Sequence, residues 1–181
     1  MGQYYKAIIL ASQQEDAKEI IRTWIDPDYY SNGYKLMEHS YIRNQFVQAV
    51  EYLISPLGMF YKSRLVWAGD YADPEQGLNE NLYKIASHVS NEGKHSSPPT
   101  YSMDAYKYIV NHTKKQYVVK YYESLSVIHP LPLLTAEGNG SGGGDYRGNN
   151  EELVGTWARN VISMEEEIPA GYQELVCNWS E

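Results

Sequence analysis

Tyr4-Tyr5-Lys6-Ala7-Ile8-Ile9-Leu10 decides how the rest of the chain is read. Its aromatic start and unbroken apolar end predict a strand long enough to lie against a core on both faces. The next stretch can be read two ways. Ser12 with Glu15 makes a capping box, and Ala17, Ile20, Ile21, Trp24 and Ile25 recur at helical spacing. Yet Ile20-Ile21-Arg22-Thr23-Trp24-Ile25 is rich in strand formers, and we read it as the hairpin partner of the first strand. Asp26-Pro27 ends the element either way, because proline restricts the residue before it.

Working outward, Asn32-Gly33 is a tight-turn signal leading into Tyr34-Lys35-Leu36-Met37-Glu38, read as a short strand. Phe46, Val47, Val50, Leu53 and Ile54 predict a helix behind an Asn44 cap, stopped by Pro56 and Gly58. Arg64 to Ala68 reads as a strand that runs into the acidic loop Gly69-Asp70-Tyr71-Ala72-Asp73-Pro74. A second helix carries Leu78, Leu82, Ile85 and Val89, with Asn79 as its cap and Gly93 as its end. His95 to Thr100 is a polar loop. Tyr106 to Val110 and Gln116 to Tyr122 predict a locally paired hairpin. Leu131-Pro132-Leu133-Leu134-Thr135-Ala136 is strand-like, and so is Val161 to Met164. Glu165 to Glu167 reads as a solvated charge run, and Tyr172 to Trp179 closes the chain. The sum, over residues 1–181, is a single α+β domain with a mainly antiparallel sheet and two or three helices.

Bulk composition narrows the function classes. The 181 residues are 43% hydrophobic, as in an ordinary globule with a sizeable core. Tyrosine supplies 18 rings and phenylalanine two, so the aromatic surface combines apolar faces with polar tips suited to flat polar ligands. A formal net charge of -8 opposes binding of a nucleic-acid polymer, which needs a surplus of Lys and Arg, but leaves room for a small phosphorylated ligand held by local cations. One cysteine, Cys177, excludes an internal disulfide and fits a reducing, cytoplasmic setting. No leader and no apolar run of membrane-spanning length is expected.

The binding signal is Gly138-Asn139-Gly140-Ser141-Gly142-Gly143-Gly144-Asp145-Tyr146-Arg147-Gly148. A backbone so poor in Cβ atoms can aim successive N–H groups at one anion. The literal G-x-G-x-x-G inside it is not followed by an apolar helix, so a dinucleotide fold is discounted, and no Walker lysine follows. The reading kept is a main-chain nest beside Arg147 as an anion fork and Tyr146 as a stacking platform; the alternative is a plain glycine loop in solvent. Trp67, Asp70, Tyr71 and Asp73 form a second block at a strand end. There the carboxylates could accept from ribose hydroxyls while a ring stacks, although Trp67 also reads as core and the aspartates as turn formers. Glu38-His39, with His129 elsewhere, could supply an acid-base pair. Neither H-E-x-x-H nor a Cys/His ligand spacing is present, so no metal and no cofactor are expected.

Met1-Gly2-Gln3-Tyr4-Tyr5-Lys6, Lys35-Leu36-Met37-Glu38-His39, Trp67-Ala68-Gly69-Asp70-Tyr71-Ala72-Asp73 and the glycine stretch together resemble an uncharacterised family of small phage and bacterial proteins. The resemblance touches most of the chain and implies a phage or mobile-element setting, hence host cytoplasm, but carries no activity. Trp157-Ala158-Arg159-Asn160 departs from the second Ala-Gly-Asp of that pattern.

The expectation is therefore a non-enzymatic binder of a small nucleotide-like ligand. Its site would comprise Gly138 to Gly144, Asp145, Tyr146, Arg147, Trp67, Asp70, Tyr71, Asp73 and His39. In a phage setting this would be a sponge that sequesters a host-defence nucleotide signal, with a homo-oligomer raising its capacity. Two readings compete with it. One is a hydrolase or nucleotidyl-processing enzyme using Glu38, His39, Asp70 or Asp73; the other is an inhibitor that blocks a host protein through the tyrosine-rich surface.

Overall fold

The structure, a computed structural model, describes residues 3–12, 20–89, 97, 100, 102–121, 127–139 and 144–180. Its centre is strand β1 (Tyr5–Leu10), every residue of which is buried. The antiparallel partners of β1 are β2 (Ile21–Ile25) on one side and β3 (Ser63–Gly69) on the other. The sheet continues through β7 (Val161–Glu165), β4 (Tyr108–Asn111), β5 (Gln116–Val119) and β8 (Gln173–Glu174) in the order β2-β1-β3-β7-β4-β5-β8. The short β6 (Ala136–Glu137) runs parallel to β3, and β8 parallel to β5; every other pairing is antiparallel. The architecture is α+β.

The two-sided burial of β1 follows from the period of the pleat. Tyr5, Ala7 and Ile9 pack with Leu65 and Trp67 into the larger core, under helices α2 (Gln45–Leu53) and α4 (Pro130–Thr135). Ile8 and Leu10 join Ile21, Trp24, Val66 and Ala68 in a smaller core beneath α3 (Leu82–Ala86). A strand sandwiched by helices on both faces needs apolar residues at successive positions, which is why β1 shows no alternation.

The hairpin reading of Ile20 to Ile25 holds: β2 pairs with β1 through Ala7–Ile25, Ile8–Trp24 and Ile9–Thr23. The capping-box partner Glu15 lies outside the described residues. The α2 helix starts where expected, with Asn44 Oδ1 accepting from the N–H groups of Phe46 (2.9 Å) and Val47 (3.2 Å). The tyrosine hairpin forms as β4 and β5.

Two elements differ in type from the sequence reading, and a third differs in extent. Tyr34 to Glu38 is not a strand: residues Leu36–His39 make a single helical turn, α1. Two carboxylates explain it, because Glu38 accepts from Lys35 N (2.9 Å) while Asp145 Oδ1 accepts from Met37 N (3.0 Å), covering donors that the turn leaves unpaired. Leu131 to Thr135 is helix as well, not strand. Pro130 stands at its first turn and His129 Nδ1 accepts from Leu131 N at 3.1 Å, so the prolines fall where missing N–H groups cost least. Helix α3 is also shorter than expected: Asn81 rather than Asn79 caps it, and Leu78 is exposed. Gly93, the expected end of that helix, and most of the His95–Thr100 loop lie outside the described residues. Among the described residues no helix is long and apolar enough to cross a membrane.

Candidate functional site

The ends of the glycine stretch are packed against Tyr5. A Cβ placed on Gly138 would sit 2.1 Å from Gln3 Oε1, and one on Gly144 would sit 2.8 Å from the Tyr5 hydroxyl, so both positions let the main chain lie close to the start of β1. Gln3 Oε1 accepts from Asn139 N at 3.0 Å, and Asp145 is committed to Met37 N. Gly140, Ser141, Gly142 and Gly143, the centre of the expected nest, lie outside the described residues.

The two side chains expected to flank that nest are engaged elsewhere. Tyr146 is buried edge-on against Trp179, with ring centroids 5.6 Å apart, and its hydroxyl donates to Asn149 O; it is a core ring and not a stacking platform. Arg147 folds back onto its own loop, donating from Nη1 to Gly144 O (3.1 Å) and Tyr146 O (2.6 Å). The surroundings are acidic too. Burial, then Asp145, then Asp70 push the Tyr5 hydroxyl well above its ordinary pKa, which is the wrong field for a phosphate.

The second expected block divides between core and surface. Trp67 is wholly buried against Phe46 at 5.2 Å between centroids and cannot stack on a ligand. Asp70 Oδ1 accepts from Tyr4 N at 2.9 Å, while Asn81 Nδ2 holds the loop through Asp70 O and Ala72 O. Tyr71 and Asp73 are exposed. His39 is also wholly buried, between Gly33 O and the Trp67 indole, and burial pushes its pKa down to about 4. It is therefore neutral and out of reach of a ligand in solvent. His129 does not meet it: His129 pairs with Glu51 at 2.7 Å. Among the described residues no group of three or more His, Cys, Asp or Glu could hold a metal ion.

The cations gather at another place. A cleft of about 460 Å³ crosses the ends of β2, β1, β3 and β7 and is lined by Arg22, Arg64, Lys62, Ser63, Tyr61 and Met59, among others. Sheet order builds it: Leu10 is opposite both Ile21 and Arg64, and Arg64 is opposite Val161. Arg64 is the anchor. Its Nε donates to Arg159 O (3.1 Å) and its Nη1 to Ala11 O (3.2 Å), which fixes the plane of the guanidinium. Of the five N–H donors on the group, three have no partner among the described residues. No carboxylate lies within ion-pair distance of Arg64 among the described residues; burial and then the neighbouring Arg159 disfavour its charge, against a smaller favourable contribution from Glu75. Arg159 itself is neutralised by Glu75 and Glu137. Arg22 lies over the Phe60 ring at 5.6 Å and Lys62 over Tyr61 at 5.1 Å.

A directed chain of hydrogen bonds steadies the Tyr61 wall. Tyr61 donates to Glu165 Oε1 (2.5 Å), and so does Ser163 Oγ (2.8 Å). Having given its proton to Glu165, Ser163 can only accept from His112 Nε2–H at 2.7 Å, which leaves His112 Nδ1 to accept from Tyr172 at 2.9 Å. Burial and then Lys62 lower the pKa of His112, consistent with this neutral form. Ser163 is wholly buried and has no access to a substrate. Glu165 is therefore a fixed acceptor at its end of the charge run, and not merely a solvated residue.

No protein-family profile, curated protein or solved structure matches the chain significantly.

Arg22, Lys62 and Arg64 escaped the sequence reading because no motif links them. The available signal was weak: Arg22 is the outward position of an otherwise buried strand, and Arg64 opens an apolar one.

Proposed function

We propose that the chain is a non-enzymatic binding protein for a small nucleotide-like anion, held in the cleft of Arg22, Lys62 and Arg64 and not at the glycine stretch. The supporting observation is that these three cations converge on one recess in a protein of formal net charge -8. A phosphoryl group would take the remaining donors of Arg64, with Lys62 as a further counter-charge and Arg22 at the rim, and a flat base would lie along Tyr61 and Met59. The expected acid-base groups do not line this cleft: His39 is buried, Glu38 caps a helical turn and Asp70 is bonded to Tyr4 N. That favours binding over turnover. Given the resemblance to small phage proteins, such a binder would act as a sponge in the host cytoplasm, withdrawing a nucleotide signal and returning it unchanged; assembly of several copies would raise its capacity.

The test is a thermal-shift panel of mononucleotides, cyclic dinucleotides and pyrophosphate on the full chain, followed by recovery of the ligand after heat denaturation. One class should raise Tm saturably and be recovered intact, and Arg64→Gln should weaken it roughly tenfold. A chemically altered ligand would establish an enzyme instead. No shift with any member, together with a co-purifying host protein, would favour the inhibitor reading.

A further inference from the structure

A second recess, of about 380 Å³, lies on a different part of the molecule and shares no lining residue with the Arg64 cleft. Among the described residues its walls are Ile42, Arg43, Asp104, Lys107, Lys120 and Tyr121. Lys120 stands out because it is only 6% exposed although it forms part of a pocket wall. Its ammonium donates to Met103 O at 2.8 Å and pairs with Glu51 Oε1 at 3.1 Å. Glu51, in turn, accepts from His129 Nε2–H at 2.7 Å, and His129 is held in that tautomer because its Nδ1 accepts from Leu131 N. Burial opposes the charge on Glu51, but His129 and Lys120 together hold its carboxyl below the usual carboxylate range. The pair is almost fully desolvated.

Buried ion pairs of this kind are poor stabilisers, since desolvation offsets most of the attraction. A use for the amine explains its position better than stability does. Two of the three ammonium hydrogens have partners, and the third has none among the described residues. Arg43 directs Nε and Nη2 to the same oxygen, Asp104 Oδ2, at 3.2 and 3.1 Å. Among the described residues this leaves Arg43 Nη1 as a donor at the rim, while the Asp104 carboxylate, which the Ser102 side chain also bonds, keeps further lone pairs as acceptors, with Lys107 exposed beside them. Ile42 and Tyr121 provide apolar wall.

We propose that this recess is a second ligand site, for a small organic oxyanion that also carries an ammonium or hydroxyl group. The carboxylate or phosphoryl end meets Lys120, Lys107 and Arg43 Nη1. The donor end meets the Asp104 carboxylate. A volume near the lower end of ligand pockets suits a molecule of amino-acid or hydroxy-acid size.

The test is a titration of the full chain with malate, O-phosphoserine and inorganic phosphate, followed by backbone amide shifts in NMR. Saturable shifts at Arg43, Lys107 and Tyr121 are expected with the two organic probes, and malate against O-phosphoserine separates carboxylate from phosphoryl preference. Lys107→Gln should weaken binding roughly threefold. Lys120→Met made with Glu51→Gln, so that no carboxylate is left unpaired, should weaken it roughly tenfold or more. Arg64→Gln should change nothing here, which separates failure of this site from failure of the other. Shifts that rise without saturating, or that persist undiminished in Lys107→Gln, would overturn the proposal. If the double variant does not fold, the Lys107→Gln comparison still decides.

Discussion

Trp67 donates its indole N–H to His39 Nε2 across 2.9 Å inside the larger core. Since Gly33 O at 3.0 Å can only accept, the imidazole proton sits on Nδ1 and Nε2 is the acceptor that Trp67 requires. Protonating the ring would set two donors against each other.

A pH dependence of stability follows. Burial holds the folded-state pKa of His39 at about 4 against an ordinary 6.5, so between those values the unfolded chain binds the extra proton. Stability should therefore fall as pH falls through that window, by about 1.4 kcal/mol per pH unit for this group. Urea unfolding of wild type and His39→Gln at pH 7, 6 and 5 isolates the contribution. The variant should be less stable at pH 7 but decline less steeply. Parallel profiles would show that His39 is not the titrating group.

Gly144 and Gly77 both have positive φ, +58° and +78°, yet only Gly144 is crowded, with the Tyr5 ring and hydroxyl in the place of a Cβ. Gly77→Ala should cost about 1 kcal/mol for the backbone alone. Gly144→Ala should cost ~2–4 kcal/mol, because overpacking adds to it. Equal losses by chemical denaturation would mean that the glycine stretch does not rest on Tyr5 in solution.

Arg159 clasps two carboxylates from separate segments: Nε reaches Glu137 Oε2 at 2.8 Å, Nη1 reaches Glu75 Oε2 at 3.0 Å, and Nη2 bonds to both side chains. These bonds hold its charge more firmly than usual. Arg159→Met would leave two partly buried carboxylates facing each other and should cost ~2–3 kcal/mol, with Arg159→Lys restoring part of the loss. A change in urea midpoint no larger than that of a surface substitution would show the clasp to be idle.

Asn44 is expected to be worth ~1–2 kcal/mol as the cap of α2, since it satisfies two orphan N–H groups and also donates from Nδ2 to Asn32 Oδ1 at 2.7 Å. Asn44→Ala should lower stability by that amount without altering the sheet, as read by urea unfolding and circular dichroism. Loss of the cooperative transition altogether would assign Asn44 a larger role than capping.

Elements whose signal lies within a few residues were legible in the chain. The apolar run of β1, the Asn44 cap with its 3.6-residue stripe, and the tyrosine hairpin each have a local cause. The helical turn at Leu36–His39 was not legible, because one of the carboxylates that caps it, Asp145, is 108 residues away from Met37. The α4 helix could have been found from Pro130 at its start, but its apolar content equally suits a strand.

For the site the division is sharper. Residue types alone pointed to an acidic, tyrosine-rich α+β chain and raised the expectation of a small anion held by local cations. They could not show that Trp67, Tyr146 and His39 turn into the core, or that Arg147 bonds to its own loop. Nor could they bring Arg22 beside Arg64, or Lys120 to Glu51. Those meetings depend on strand order and register, and a sheet joins residues by hydrogen-bonded neighbourhood, to which separation along the chain is indifferent.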